Sequence, residues 1–167
     1  MRPTDIALAV AVAAIWGFAF VATKIGLDSF SPPELTALRF MVAAVPALFL
    51  PKPRIAWALL IALGIFLFTG QFLSLFFAMV HGMPPGLASV VVQIQAFFTI
   101  GLAAAVIGER PSRRQLAGIA LAFAGFAGVA ATVGGDLSSM GLALTLFGAM
   151  SWAIGNIMLK RLGPVDL

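Results

Sequence analysis

Residues 55–107 read IAWALLIALGIFLFTGQFLSLFFAMVHGMPPGLASVVVQIQAFFTIGLAAAVI, two long apolar stretches parted by His81-Gly82-Met83-Pro84-Pro85. A bilayer core of about 30 Å needs about 20 mainly apolar residues in a helix. The stretches at 55–80 and 86–107 meet that need, and their apolar residues are continuous rather than alternating. Backbone amides and carbonyls cannot stay unpaired in lipid, so a spanning segment is a helix or a barrel strand, and unbroken apolarity selects the helix. Four more runs lie outside this pair, at 6–23, 35–50, 116–133 and 140–159. The run at 35–50 is short and holds Arg39, while 55–80 is long enough to tilt. The expected fold is an all-α membrane protein of about six transmembrane helices.

Composition excludes most other classes. Of 167 residues, 62% are hydrophobic and only 10% charged, where soluble domains carry roughly 25% charged residues. Mean hydropathy is +1.10 and the pI is near 10.8. The basic residues sit between apolar runs with no aromatic-interleaved basic patch, so the charge speaks for membrane orientation and not for nucleic acid. There is no cysteine, and His81 is the one histidine. Disulfides, thiolate metal sites and Cys or Ser-His nucleophile pairs are thereby removed, and neither an enzyme, a metal nor a cofactor is expected. The first run has Asp5 before it and Lys24 at its far end, with no small-residue cleavage pattern, so it reads as a retained helix rather than a signal peptide.

Local punctuation agrees. Ser31-Pro32-Pro33-Glu34 is a capping box with proline in the first turn, and Ser112-Arg113-Arg114-Gln115 repeats the logic before the fifth run. Links of a few residues make successive helices antiparallel neighbours. On the N-terminal side lie Arg2, Lys52, Arg54, Arg110, Arg113, Arg114, Lys160 and Arg161; on the other side lies Lys24, with Arg39 inside a helix. Such a bias in short loops predicts a cytoplasmic N-terminus in the cell inner membrane.

An internal echo sets the domain expectation. Ile6-Ala7-Leu8, Trp16 and Lys24 fall on Leu142-Ala143-Leu144, Trp152 and Lys160 at a constant offset of 136. With five helices between the copies, the sixth crosses in the direction opposite to the first, as in inverted-topology repeats whose substrate sites form near the midplane. Residues 1–135 are then a first five-helix repeat, and 136–167 the start of an inverted second one. Four helices of that second half are expected to be missing, and a complete pathway to need them or a second copy of the chain.

Ile15-Trp16-Gly17 with Lys24, Leu38-Arg39-Phe40 and Gly70-Gln71-Phe72 resemble the EamA family of the drug/metabolite transporter superfamily. Gly82-Met83-Pro84, Gly86-Leu87-Ala88-Ser89, Gln93-Ile94-Gln95-Ala96-Phe97-Phe98-Thr99, Gly108-Glu109-Arg110, Gln115-Leu116-Ala117-Gly118-Ile119 and Ser151-Trp152-Ala153-Ile154-Gly155-Asn156 resemble its O-acetylserine/cysteine exporter branch. The resemblance implies two inverted five-helix halves around a central cavity, with secondary, alternating-access export of small amino-acid-like metabolites such as cysteine and O-acetylserine. The alternatives are a broader drug or metabolite exporter with an apolar site, and a truncated, non-transporting membrane fragment.

Polar groups at membrane depth usually face the bundle interior. Arg39 suits a substrate carboxylate, whose two oxygens match the guanidinium fork; pairing with Glu34 or Asp28 or snorkelling is the plainer alternative. Gln71, near the middle of its helix with Ser74 close by, lines a cavity or bonds to a neighbouring helix. Gln93 shares a helical face with Ser89 and Phe97 and is the favoured substrate ligand. Gln95 points to the other side and reads as helix–helix glue. Trp16 and Phe20 form an aromatic wall or ordinary packing, and Asn156, the counterpart of Phe20 at the repeat offset, faces the same cavity. Ala120, Ala124 and Gly128 make a small-residue stripe that invites close helix approach. Each carboxylate (Asp5, Asp28, Glu34, Glu109, Asp136, Asp166) falls at a helix end or in a loop, so these residues offer no buried acid for proton coupling.

Overall fold

The computed structural model describes residues 2–50, 55–132 and 138–163; Lys52, Arg54, Asp136 and Asp166 lie outside the described residues. Each apolar run is helical. The helices are α1 (Pro3–Gly26), α2 (Pro32–Ala44), α3 (Trp57–Val80), α4 (Pro85–Ile107), α5 (Arg113–Thr132) and α6 (Ser139–Leu162). Among the described residues, α1, α3, α4 and α6 are long and apolar enough to cross a membrane. Helix α2 has 13 α-helical residues and then a five-residue 3₁₀ segment, Val45–Phe49, at Pro46. Because a 3₁₀ turn rises about 2.0 Å per residue against about 1.5 Å, the two parts together reach about 30 Å, the thickness of the hydrocarbon core. The protein is an all-α membrane protein.

Both expected helix starts form. The Ser31 amide donates to Glu34 Oε2 at 2.8 Å, and the Ser31 hydroxyl donates to the same oxygen at 2.7 Å. At α5 the box is reciprocal, with Ser112 N–H donating to Gln115 Oε1 at 2.7 Å and Gln115 N–H donating to Ser112 Oγ at 3.3 Å. Helix α4 ends at Gly108, whose φ of 78° is a left-handed value that glycine adopts freely.

Helix α6 packs down the centre against α3. Gly141, Gly148 and Gly155 recur every seven residues and face Met83 and Ala78, then Gln71, then Leu67, so the two helices run antiparallel. A Cβ on Gly148 would stand 3.0 Å from the Gln71 carbonyl oxygen, and one on Gly155 would stand 2.5 Å from Leu67 Cδ2. Small residues at such a seam let backbones approach, which is the main source of helix association where lipid is as apolar as leucine. Ser151 adds a polar tie, its hydroxyl donating to the Phe66 carbonyl at 2.8 Å. Phe66 lies in a π-helical stretch, Gly64–Gly70, where the ordinary i→i−4 pattern is interrupted. The close approach expected of Gly128 falls on α6 instead: a Cβ at Gly128 would meet nothing within 4 Å.

Leu75, Phe76, Ala78, Met79, Met83, Ala88 and Val91 form the core where α3 turns into α4. Helix α1 is different, with Thr23 its one buried residue and Ile6, Leu8, Val10, Ile15 and Phe18 exposed. A helix apolar all round is suited to lipid or to a further apolar partner, not to water.

Candidate functional site

A cavity of about 370 Å³ opens among α1, α2, α3, α4 and α6, within the size range of small-molecule sites. Its walls come from the second half of α1, Arg39 of α2, residues 71–79 of α3, residues 89–95 of α4 and Trp152 of α6. It therefore lies nearer the α3–α4 turn. The other end of the α4–α6 pair is tied by Lys160 Nζ to Glu109 Oε2 at 2.6 Å and by Arg161 Nη2 donating to the Val106 carbonyl at 2.7 Å. Both Lys160 and Glu109 are about half exposed, and exposed pairs contribute about 0–1 kcal/mol. Glu109→Gln should therefore shift unfolding stability by less than about 1 kcal/mol, measured by thermal unfolding in detergent.

Six of the eight residues singled out from the sequence line this one cavity: Trp16, Phe20, Arg39, Gln71, Ser89 and Gln93. Phe97 and Asn156 do not. Phe97 turns outward and stacks on Phe123 of α5, with ring centroids 4.9 Å apart and planes 18° from parallel, and it meets Phe126 edge-on at 6.1 Å. With Ser89 and Gln93 it also borders a second, more open groove between α4 and α5. Asn156 Nδ2 reaches Thr99 Oγ1 at 3.5 Å, a bridge from α6 to α4 rather than a cavity contact.

Gln95 lines the cavity together with Gln93, which sequence spacing argued against. The reason is a 3₁₀ turn at Val92–Ile94. Residues two apart are about 160° apart around an α-helix, but about 120° apart where there are three residues per turn. Trp152 and Thr23 were also missed. The Trp16–Trp152 register was the available signal for the first, since both tryptophans border the same cavity. Thr23 gave none.

Two groups set the cavity's chemistry. The Arg39 guanidinium carbon lies 4.4 Å from the Phe72 ring centroid, a cation–π contact. Phe72 is braced edge-on by Phe40 at 5.3 Å and Phe76 at 6.1 Å. Arg39 has no carboxylate partner among the described residues; their ion pairs are Lys24–Asp28 and Lys160–Glu109. This leaves its donor fork available to an anion. Gln71 is only 7% exposed, and its Oε1 has no hydrogen-bond donor. A buried acceptor left unpaired costs about 1–3 kcal/mol. By contrast Ser89 Oγ is satisfied locally, donating to the Gly86 carbonyl at 2.7 Å. No group of three or more His, Asp or Glu side chains gathers among the described residues in a way that could hold a metal.

Apolar helices enclosing a pocket with a cation and unpaired amide chemistry have the build of a small-molecule membrane transporter. The chain belongs to the EamA-like transporter family, whose model matches residues 4–131. It is 45% identical over 165 residues to a probable amino-acid metabolite efflux pump of Salmonella typhimurium, covering 97% of this chain and 55% of that protein. The corresponding protein of Escherichia coli is 44% identical with the same coverage. A probable terminal-alkyne amino-acid exporter of Streptantibioticus cattleyicolor is 35% identical over 127 residues, covering 72% of this chain and 42% of that protein. The chain thus spans about half the length of the curated relatives it matches. No solved structure matches it.

Proposed function

We propose that the chain forms the first half of an alternating-access exporter of small amino-acid metabolites, cysteine and O-acetylserine among them, in the cell inner membrane. The observation that carries this reading is the cavity holding Arg39, which has no carboxylate partner among the described residues, beside Gln71, Gln93, Trp16 and Phe20. The Arg39 guanidinium, exposed on the wall of this cavity, favours a ligand with a carboxylate, and the apolar walls favour a small side chain over a highly charged one. The names of the two enterobacterial relatives agree with that class.

Residues 1–135 would supply one five-helix repeat and 136–167 the start of its inverted partner. The remaining helices, from further chain or a second copy, would close the far wall, and α1, exposed along most of its length, offers the surface for them. Transport then consists of the halves rocking about the cavity. The broader-exporter alternative draws on the same aromatic walls but gives Arg39 no role, so substrate charge separates the two. Efflux assays with the complete transporter in proteoliposomes should show saturable export of L-cysteine; export of apolar compounds alone would favour the alternative.

Two further outcomes follow. With a cytoplasmic N-terminus and six crossings, a reporter fused after Leu167 should be active as a cytoplasmic reporter and silent as a periplasmic one; the reverse would contradict the helix count. Replacing Gln93 with Leu keeps size but removes a donor and an acceptor, so substrate affinity should fall about tenfold, the equivalent of a lost hydrogen bond. Titration of purified protein with L-cysteine measures this.

A further inference from the structure

We infer that Gln71 reads the substrate's free amino group, so that this transporter accepts primary ammonium compounds and rejects their N-acylated forms. The inference rests on the amino-acid exporter reading above and adds a specificity determinant to it. Gln71 lines the cavity, is more than nine-tenths buried, and carries an amide oxygen with no donor. Buried acceptors are nearly always paired, so one left unpaired on a cavity wall has room for a partner from outside.

None of the donors that share the cavity wall, Thr23, Arg39, Gln93, Gln95 and the two tryptophans, is hydrogen-bonded to Gln71 Oε1. Ser74, one turn along α3, donates to the Gly70 carbonyl at 2.6 Å, and Ser151 on α6 donates to the Phe66 carbonyl at 2.8 Å. The Ser74 and Ser151 hydroxyls are thus committed to carbonyls. The terminal torsion of a glutamine is broad and nearly two-fold, so Oε1 turns toward a ligand at little cost. An ammonium brings three donors and a charge, and a hydrogen bond to a charged donor is stronger than one between neutral groups. Arg39, which only donates, cannot serve an ammonium; it serves the carboxylate. The cavity therefore presents one group for each end of a zwitterion. An N-acetyl group adds bulk and leaves a single amide N–H, without charge, for Gln71.

The test compares L-cysteine with N-acetyl-L-cysteine on the complete transporter, by ligand titration and thermal unfolding, in the parent and in Gln71→Leu. The parent should bind L-cysteine at least about tenfold more tightly, and Gln71→Leu should narrow that preference to within about threefold, since a charge-assisted bond carries about an order of magnitude. Because leucine removes an unpaired buried acceptor, the variant should unfold at or above the parent temperature. A preference kept by Gln71→Leu would overturn the inference, as would a variant that unfolds well below the parent while both ligands weaken together, the mark of a helix–helix bond. Gln71→Glu retains the acceptor and should retain the preference; its loss there overturns the inference equally. A parent that binds L-cysteine without preferring the free amine defeats this inference alone. A parent that binds neither compound defeats the exporter reading and the inference with it.

Discussion

Replacing Arg39 with glutamine is expected to weaken carboxylate-bearing substrates by about 10- to 100-fold, since a hydrogen bond to a charged group contributes about 1.5–3 kcal/mol. Arg39 has no carboxylate partner among the described residues and rests on the Phe72 ring at 4.4 Å. Its removal therefore breaks no ion pair among the described residues, and the fold should tolerate it. The effect should be confined to ligands with a carboxylate. L-cysteine should lose affinity, whereas cysteamine, which keeps the amine and thiol but lacks the carboxylate, should bind the parent and Arg39→Gln alike. Arg39→Lys should recover only part of the loss, because an ammonium is a point charge without the two-pronged geometry of guanidinium. Equal weakening of cysteine and cysteamine would instead assign Arg39 to packing against Phe72.

The second large effect is structural. Gly148→Leu should destabilise the bundle by about 1–3 kcal/mol or more, the range for forcing extra atoms into a packed interior. A Cβ there stands 3.0 Å from the Gln71 carbonyl oxygen, which is backbone and cannot swing away. Relief comes only if α6 and α3 separate, and that displaces the turn carrying Gln71, so ligand binding should fall together with thermal stability. Gly125→Leu on α5 is the matched control. A Cβ there meets nothing within 4 Å, so the unfolding temperature should barely move. If both variants unfold alike, the glycine seam is not what holds α6 to α3.

Much of this architecture could be read from the chain because its determinants are local. Helix existence follows from uninterrupted apolarity of membrane length, and the starts of α2 and α5 follow from Ser31 with Glu34 and Ser112 with Gln115, contacts three residues apart. Arg39, Gln71 and Gln93 stood out because polar atoms are costly in lipid; all three line the cavity, Gln71 buried and Arg39 and Gln93 exposed. The 3₁₀ turn at Val92–Ile94 was not legible. It contains no proline or glycine, so none of its residues announces a change of pitch. That one change of pitch carries Gln95 to the cavity. Asn156 failed for a related reason: repeat symmetry placed it opposite Phe20, but Thr99 on the neighbouring α4 offers it a hydrogen-bond partner. Such a contact spans 57 residues of sequence and leaves no local trace. The α6 glycine seam was hidden in the same way, since Gly128 and Gly148 look equivalent until a partner helix is in place.

Recognition of both ends of an amino acid by the cavity is the property on which the proposed function turns. The deciding measurement is efflux of labelled L-cysteine from proteoliposomes containing the complete transporter, with unlabelled L-cysteine, cysteamine and N-acetyl-L-cysteine as competitors on the loaded side. Arg39 and Gln71 together predict that L-cysteine competes strongly, while each analogue, lacking one of the two charged ends, competes at least about tenfold more weakly. Equal competition by all three would contradict the account and leave a site that reads only the apolar body of its substrate.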